Sequence, residues 1–197
     1  MSDGFLSSLA CFVEEAVHAD PPDELRAVCG DRYRPYYYLM YLLAGSIGHL
    51  LPIGMCVELG VEKGRGSAAM ALSGWPVFGV DHTRKGEIAV MQRRFPRFCF
   101  LEQPSTPVPD TIKDRFDIDW RIPLLHVDTG HSYGQAREEW EHYEPLLADR
   151  AVVLFDDTHA MADDVARFVV SLKHPMIFDE RLHECGYAVV AYERGKT

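Results

Sequence analysis

The chain has 197 residues, of which 47% are apolar and 25% charged, the proportions of a soluble globular protein with one sizeable core. A formal net charge of −10 repels a phosphate backbone, so no nucleic acid is expected as a partner. Five cysteines, with no CxxC pair, argue for a reducing, cytoplasmic setting and against a disulfide framework or a cysteine zinc site.

In chain order, MSDGFLSSLACFVEEAV lacks the basic start of a signal peptide and carries Glu14 and Glu15. Phe5, Leu9, Phe12, Val13 and Ala16 share one side and predict an amphipathic helix. The run YYYLMYLLAGSIGHLL (36–51) contains His49 and falls short of the roughly 20 apolar residues a membrane span needs. It predicts a buried core helix, with Tyr36 to Tyr38 as packing residues and no membrane association. These helices (1–51) precede a core over 52–197 in one expected domain, and their apolar faces could support a homo-oligomer.

The chain then alternates. MCVEL (55–59), PVFGVD (76–81), FCFLE (98–102), IPLLHVD (122–128) and AVVLFDD (151–157) read as strands. SAAMAL (67–72) and GEIAVMQRRF (86–95) read as helices, as do the segments from His131 to Leu147 and from 162 to 172. In the third, Tyr133, Ala136, Trp140, Tyr143 and Leu147 form the inward stripe, and the Arg137–Glu144 charges read as a solvated face. A proline-rich stretch with Pro104, Pro107 and Pro109 reads as an irregular loop to about residue 121, and is the candidate lid. MIFDERL and YAVVAYE close the chain as strands joined by a short HECG turn. Alternating strands and helices predict an α/β Rossmann-like three-layer sandwich: a seven-stranded, mostly parallel sheet with an antiparallel C-terminal edge hairpin. In such sheets ligands bind beyond the carboxyl ends of the strands. The polar residues expected there are Glu58, Asp81, Asp128, Asp156 and Asp157.

VELGVEKGRGS (57–67) is a glycine-rich turn, but neither G-x-G-x-x-G nor a P-loop. The missing dinucleotide fingerprint disfavours a nicotinamide oxidoreductase. An acid before the first glycine suits a cationic or hydroxyl-bearing ligand better than a pyrophosphate. Asp81, about 20 residues on, is spaced to accept hydrogen bonds from ribose hydroxyls. The alternative is a glycine turn flanked by two solvated acids.

The second constellation is HVDTGHSY (126–133) with AVVLFDDTH (151–159). Three carboxylates on adjacent strand ends supply hard oxygen donors for a divalent cation. A histidine beside them could accept a proton near neutral pH. Plainer readings stand alongside: Asp128 as an N-cap of the helix near His131, His131 as a surface histidine, and Asp156 and Asp157 as a solvated strand end. His126 reads as a hydrogen-bonded core histidine, His159 could face a substrate, and His82 could wall a pocket.

CVELGVEKGRGS followed by FGVDH resembles the first motif and acidic second strand of class I S-adenosylmethionine-dependent methyltransferases. The paired HVDTGHSY and LFDDTH segments resemble small-molecule O-methyltransferases of the macrocin type and the cephalosporin-hydroxylase group. The resemblance implies an S-adenosylmethionine-dependent enzyme that methylates a hydroxyl of a small polar acceptor, a sugar or diol. It implies Glu58, Gly60, Gly64, Gly66 and Ser67 on the methionine and turn side, Asp81 and His82 at the ribose, and Gln103 or Ser105 near the adenine. It further implies Asp128, Asp156 and Asp157 as ligands to Mg2+ or another divalent cation, with His131 and Asp128 catalytic. Relatives often carry Glu-Asp where this chain has Asp156-Asp157. A non-catalytic cofactor-binding subunit that kept the fold is the alternative.

Overall fold

The computed structural model describes residues 2–47, 54–116 and 120–196. Seven strands form one sheet: β1 Cys56–Leu59, β2 Val77–Asp81, β3 Phe98–Glu102, β4 Ile122–Val127, β5 Leu147–Asp156, β6 Met176–Phe178 and β7 Tyr187–Glu193. Their order is β3-β2-β1-β4-β5-β7-β6. The first five are parallel, and β7 is antiparallel to both its neighbours. This is the predicted α/β Rossmann-like sheet. The order reverses between β1 and β4, where open α/β sheets leave a crevice for ligands.

The helices are α1 Ser2–His18, α2 Asp23–Cys29, α3 Pro35–Ile47, α4 Arg65–Leu72, α5 Gly86–Arg94, α6 Asp110–Phe116, α7 Tyr133–Tyr143 and α8 Asp164–Ser171. Every residue of β1, β4 and β7 is buried, which is why these strands read as continuous apolar runs and not as alternations. One face packs Cys56, Leu124 and Leu154 against Leu9, Val13, Leu39, Met40 and Ile88 of α1, α3 and α5. The other packs Val57, Leu125 and Val153 against Ile112, Ala136, Tyr143 and Phe168 of α6, α7 and α8. Burying each such large side chain contributes about 1.5–3 kcal/mol before conformational entropy is set against it.

The apolar stripe of α1 is turned to the chain's own core, with Leu9, Val13 and Ala16 buried and Phe5 and Phe12 packed against it. The tyrosines Tyr36, Tyr37 and Tyr38 are buried packing residues. Residues 48–51 of the apolar run, His49 among them, lie outside the described residues. Among the described residues no helix is long and apolar enough to cross a membrane.

Four local expectations change. The proline-rich stretch contains α6, whose Ile112 is fully buried next to Val108. Ser105 and Thr106 donate to Glu139 and Glu138, and Tyr143 donates to the Ser105 carbonyl, so the 105–112 part of the supposed lid is pinned down. α7 begins at Tyr133 on the Ser132 cap, whose hydroxyl accepts from Gln135 N at 3.3 Å. Asp128 is therefore not its N-cap. β6 ends at Phe178, because Asp179 opens a turn: its side chain accepts from Arg181 N and its carbonyl from Leu182 N. The connection to β7 is thus residues 179–186 and not HECG alone. β5 begins at Leu147, four residues early, with a register irregularity opposite Pro123, which has no N–H for the ladder.

Candidate active site at the carboxyl edge of the sheet

Parallel register brings the acids together. Glu58 on β1 pairs with His126 on β4, and Asp128 follows one step beyond on the same face. Asp156 ends β5 opposite Tyr187, the first residue of the antiparallel β7. The glycine turn closes over them. Gly60 has φ +83°, and a Cβ there would lie 1.5 Å from the Asp128 carbonyl oxygen. Only glycine permits that approach of the first βα turn to the end of β4. At Gly66 a Cβ would lie 1.9 Å from Glu58 Oε1, so α4 opens directly on the buried carboxylate. Glu58 accepts from the Ser67 hydroxyl and sits 3.2 Å from His126 Nδ1.

A cavity of about 660 Å³ lies beyond the strand ends, within the usual range for small-molecule sites. Gly60, Asp81, His82, Ser105, Asp128 and His131 all line it. Asp81 Oδ2 accepts from Val61 N at 3.0 Å and Glu62 N at 2.9 Å, and Oδ1 accepts from Thr83 N at 2.9 Å. The carboxylate therefore shapes the turn, while Oδ1, which also lies 3.3 Å from His82 Nδ1, keeps acceptor capacity beyond its bond from Thr83. A smaller cavity of about 50 Å³ is lined by Tyr36, Glu58, Lys63, Arg65, Gly66 and Asp128 among others, so Asp128 borders both. Of the remaining expected binding residues, Gly64 packs on Ile88, Ser67 is fully buried beneath Glu58, and Gln103 lines neither cavity.

The expected metal ligands form overlapping groups. Asp128 and Asp156 converge with His126, and Asp128 and Asp157 with His131, the ligand atoms of each group within 4.8 Å. His131 Nδ1 is 3.3 Å from Asp157 Oδ2. Both residues adopt left-handed backbone, φ 52° for His131 and 51° for Asp157, a conformation of modest cost that His and Asp tolerate better than most residues. Asp156 is buried, not a solvated strand end. Burial, together with Asp156, Glu58 and Asp157 close by, holds the Asp128 carboxyl well above the usual carboxylate range. His126 is the expected core histidine, 1% exposed, with Nε2 buried and unpartnered. His159 turns to Asp163 and Glu180, 2.9 and 3.4 Å away.

Three site residues have no counterpart in the sequence reading. His183 Nδ1 lies 2.7 Å from Asp156 Oδ1 and 3.3 Å from Asp157 Oδ1, as ion pairs not aligned as hydrogen bonds. The two carboxylates raise its pKa to about 10, and His183 in turn holds Asp157 below the ordinary range. Cys185 lies beside Asp157. The signal for both was the antiparallel edge strand: because β7 starts at the carboxyl edge, the residues just before it must lie at the site. Glu139, 1% exposed, accepts from Ser105 at 2.6 Å, Thr129 at 2.8 Å and Gln135 at 3.3 Å. It lies three residues after Ala136 and four before Tyr143, on the inward stripe, so the supposed solvated run is interrupted there.

Residues 57–158, just over half of the chain, match the family described as "Methyltransferase domain". No curated protein sequence matches the chain. Among solved structures, the fold is similar to apo CalS11, a TDP-rhamnose 3'-O-methyltransferase of calicheamicin biosynthesis, at TM-score 0.61 and 16% identity over 96% of this chain and 94% of that one. It is also similar to a putative caffeoyl-CoA O-methyltransferase from Staphylococcus aureus, at TM-score 0.55 and 15% identity over 78% of this chain and 82% of that one. A fibrillarin/Nop5p complex matches at TM-score 0.54 and 15% identity over the same shares of both chains. The glycine turn, the β2 acid and the strand-end carboxylates all fall within the matched stretch, and the chain belongs to the methyltransferase domain family, as a class I S-adenosylmethionine-dependent enzyme.

Proposed function

We propose that this methyltransferase acts on a hydroxyl of a small polar acceptor, a sugar or diol, with a divalent cation assisting. The observation that carries this reading is Asp128, a crowded carboxylate on the border of both cavities, grouped with His131 and Asp157. The cavity's volume and the Asp81 carboxylate on its wall suit a nucleoside with free ribose hydroxyls. S-adenosylmethionine supplies the sulfonium methyl group when bound. Asp81 would hold the ribose, Gly60 would let the backbone approach the ligand, Glu58 and Gly66 would border the methionine end, and Ser105 would lie toward the adenine.

The donor chemistry fits a divalent cation: Asp128 with Asp156, and Asp128 with Asp157, offer hard oxygens, and Asp157 Oδ1, 3.3 Å from His183 Nδ1, is buried without an aligned hydrogen bond. Asp128 so close to other carboxylates favours a proton or a further cation, beyond the His183 charge already beside Asp156 and Asp157, to relieve their repulsion. A cation there would polarise the acceptor hydroxyl and lower its pKa. His131 Nδ1 faces Asp157, which leaves Nε2 as the nitrogen to take the acceptor's proton. Asp157 then stabilises the imidazolium, and Asp128 orients the hydroxyl.

Formation of S-adenosylhomocysteine from S-adenosylmethionine tests this reading against a panel of sugars and diols, with and without a chelator. Turnover that requires a hydroxyl acceptor, falls on chelation and drops about 10²–10⁴-fold in His131→Ala is the expected result. Full turnover in His131→Ala, or indifference to chelation, contradicts the corresponding role.

A further inference from the structure

The three side chains that converge from the end of β5 and the 179–186 connection have a donor chemistry different from the strand-end acids. Asp157 offers oxygen, His183 nitrogen and Cys185 sulfur, all within 4.8 Å of one another. His183 and Asp157 are mostly covered, with side chains 17% and 23% exposed, while Cys185 is exposed and leaves a route from solvent. Two of the donor atoms, Asp157 Oδ1 and His183 Nδ1, are buried without an aligned hydrogen bond. Buried polar atoms in native proteins are nearly always satisfied, whereas His183 Nδ1, 2.7 Å from Asp156 Oδ1 as well as 3.3 Å from Asp157 Oδ1, is held by proximity without an aligned hydrogen bond, which marks a place for a further atom. Their 3.3 Å separation matches the edge of a tetrahedron whose ligands lie about 2.0–2.1 Å from a zinc ion, which is about 3.3 Å.

We propose that Asp157, His183 and Cys185 form a binding site for a borderline transition-metal cation of the Zn2+ type. Mixed nitrogen, sulfur and oxygen donors select such ions over Mg2+ and Ca2+, which prefer oxygen alone. Three protein ligands leave a fourth position open for water or a ligand. Binding displaces the proton of the Cys185 thiol and that of His183 Nδ1 to solvent, so metal and protons compete for these atoms. The site ties the 179–186 connection to the end of β5. Cysteine spacing gave no sign of it, because its single cysteine acts with residues from two segments. It shares Asp157 with the carboxylate set above but needs neither S-adenosylmethionine nor an acceptor.

Calorimetric titration of the metal-stripped full chain with ZnCl2, and separately with MgCl2, tests it directly. One equivalent of Zn2+ should bind at least about 100-fold more tightly than Mg2+. Co2+ loaded in its place should give a thiolate-to-metal charge-transfer band. Cys185→Ser should abolish that band, and His183→Ala should weaken Zn2+ by about tenfold or more while circular dichroism stays native. Zn2+ binding no tighter than Mg2+, or unchanged by both substitutions, overturns the proposal. S-adenosylhomocysteine binding, followed in the same samples, reports separately on the methyltransferase reading.

Discussion

Single side chains around the site do two jobs, and Glu139 of α7 is the clearest case. It is buried, yet it holds Ser105, Thr129 and Gln135, three residues that line the large cavity. Glu139→Ala leaves these donors without their acceptor and should destabilise the fold by about 1–3 kcal/mol, while Glu139→Gln keeps most of the contacts. Burial raises the Glu139 pKa despite those hydrogen bonds. The folded state therefore binds this proton more tightly than the unfolded chain does. Its favourable contribution is complete below the ordinary value of 4.5 and is lost as pH rises through the raised pKa. Since Gln cannot titrate, Glu139→Gln should gain stability relative to wild type as pH rises through that window; chemical denaturation across pH 4 to 8 checks the sign. The acids Asp81, Asp128, Asp156 and Asp157 were legible because each follows an apolar run, and Glu58 because it interrupts one just before a glycine turn. Glu139 was not, because one acid within a charged helical run looks solvated until its phase is counted from Ala136 and Tyr143.

At the scale of elements, helix packing and the edge hairpin carry the structure around the site. Phe168 of α8 meets the rings of Tyr133, Phe155 and Trp140 with centroids 5.6, 5.9 and 6.5 Å away. Phe168→Ala should cost about 3–5 kcal/mol by urea unfolding, since α8 cannot collapse onto the void without releasing β5. The β6–β7 connection is fixed at its far side by Arg181, which donates to Asp179 at 2.9 Å and to Glu14 of α1 at 2.6 Å. That pairing holds the Asp179 carboxyl below its ordinary 3.8. Its contribution is therefore present above pH about 4 and is lost as pH falls through the lowered value. Arg181→Ala should lower the thermal midpoint at neutral pH, and the gap to wild type should close as pH falls below 3.8. Strand positions were readable from apolar runs and their polar ends. The α6 helix was not, because three prolines before it read as loop, and the long edge connection was hidden because MIFDERL stays apolar enough to pass for a strand.

Over the whole molecule, the parallel sheet reverses order between β1 and β4, and that reversal gathers the glycine turn, Asp81 and the acid cluster along one edge. Local sequence could suggest each part. Only strand order puts Asp128 beside both cavities and brings His183 back from the antiparallel edge, and strand order is a property of the assembled sheet. The central claim is that this edge holds S-adenosylmethionine with Asp81 at its ribose. Titration of S-adenosylhomocysteine into the folded protein, by calorimetry, tests it most directly. Saturable one-to-one binding, weakened about tenfold or more in Asp81→Ala, is the predicted result; no binding to the folded wild type, or equal affinity in Asp81→Ala, contradicts it.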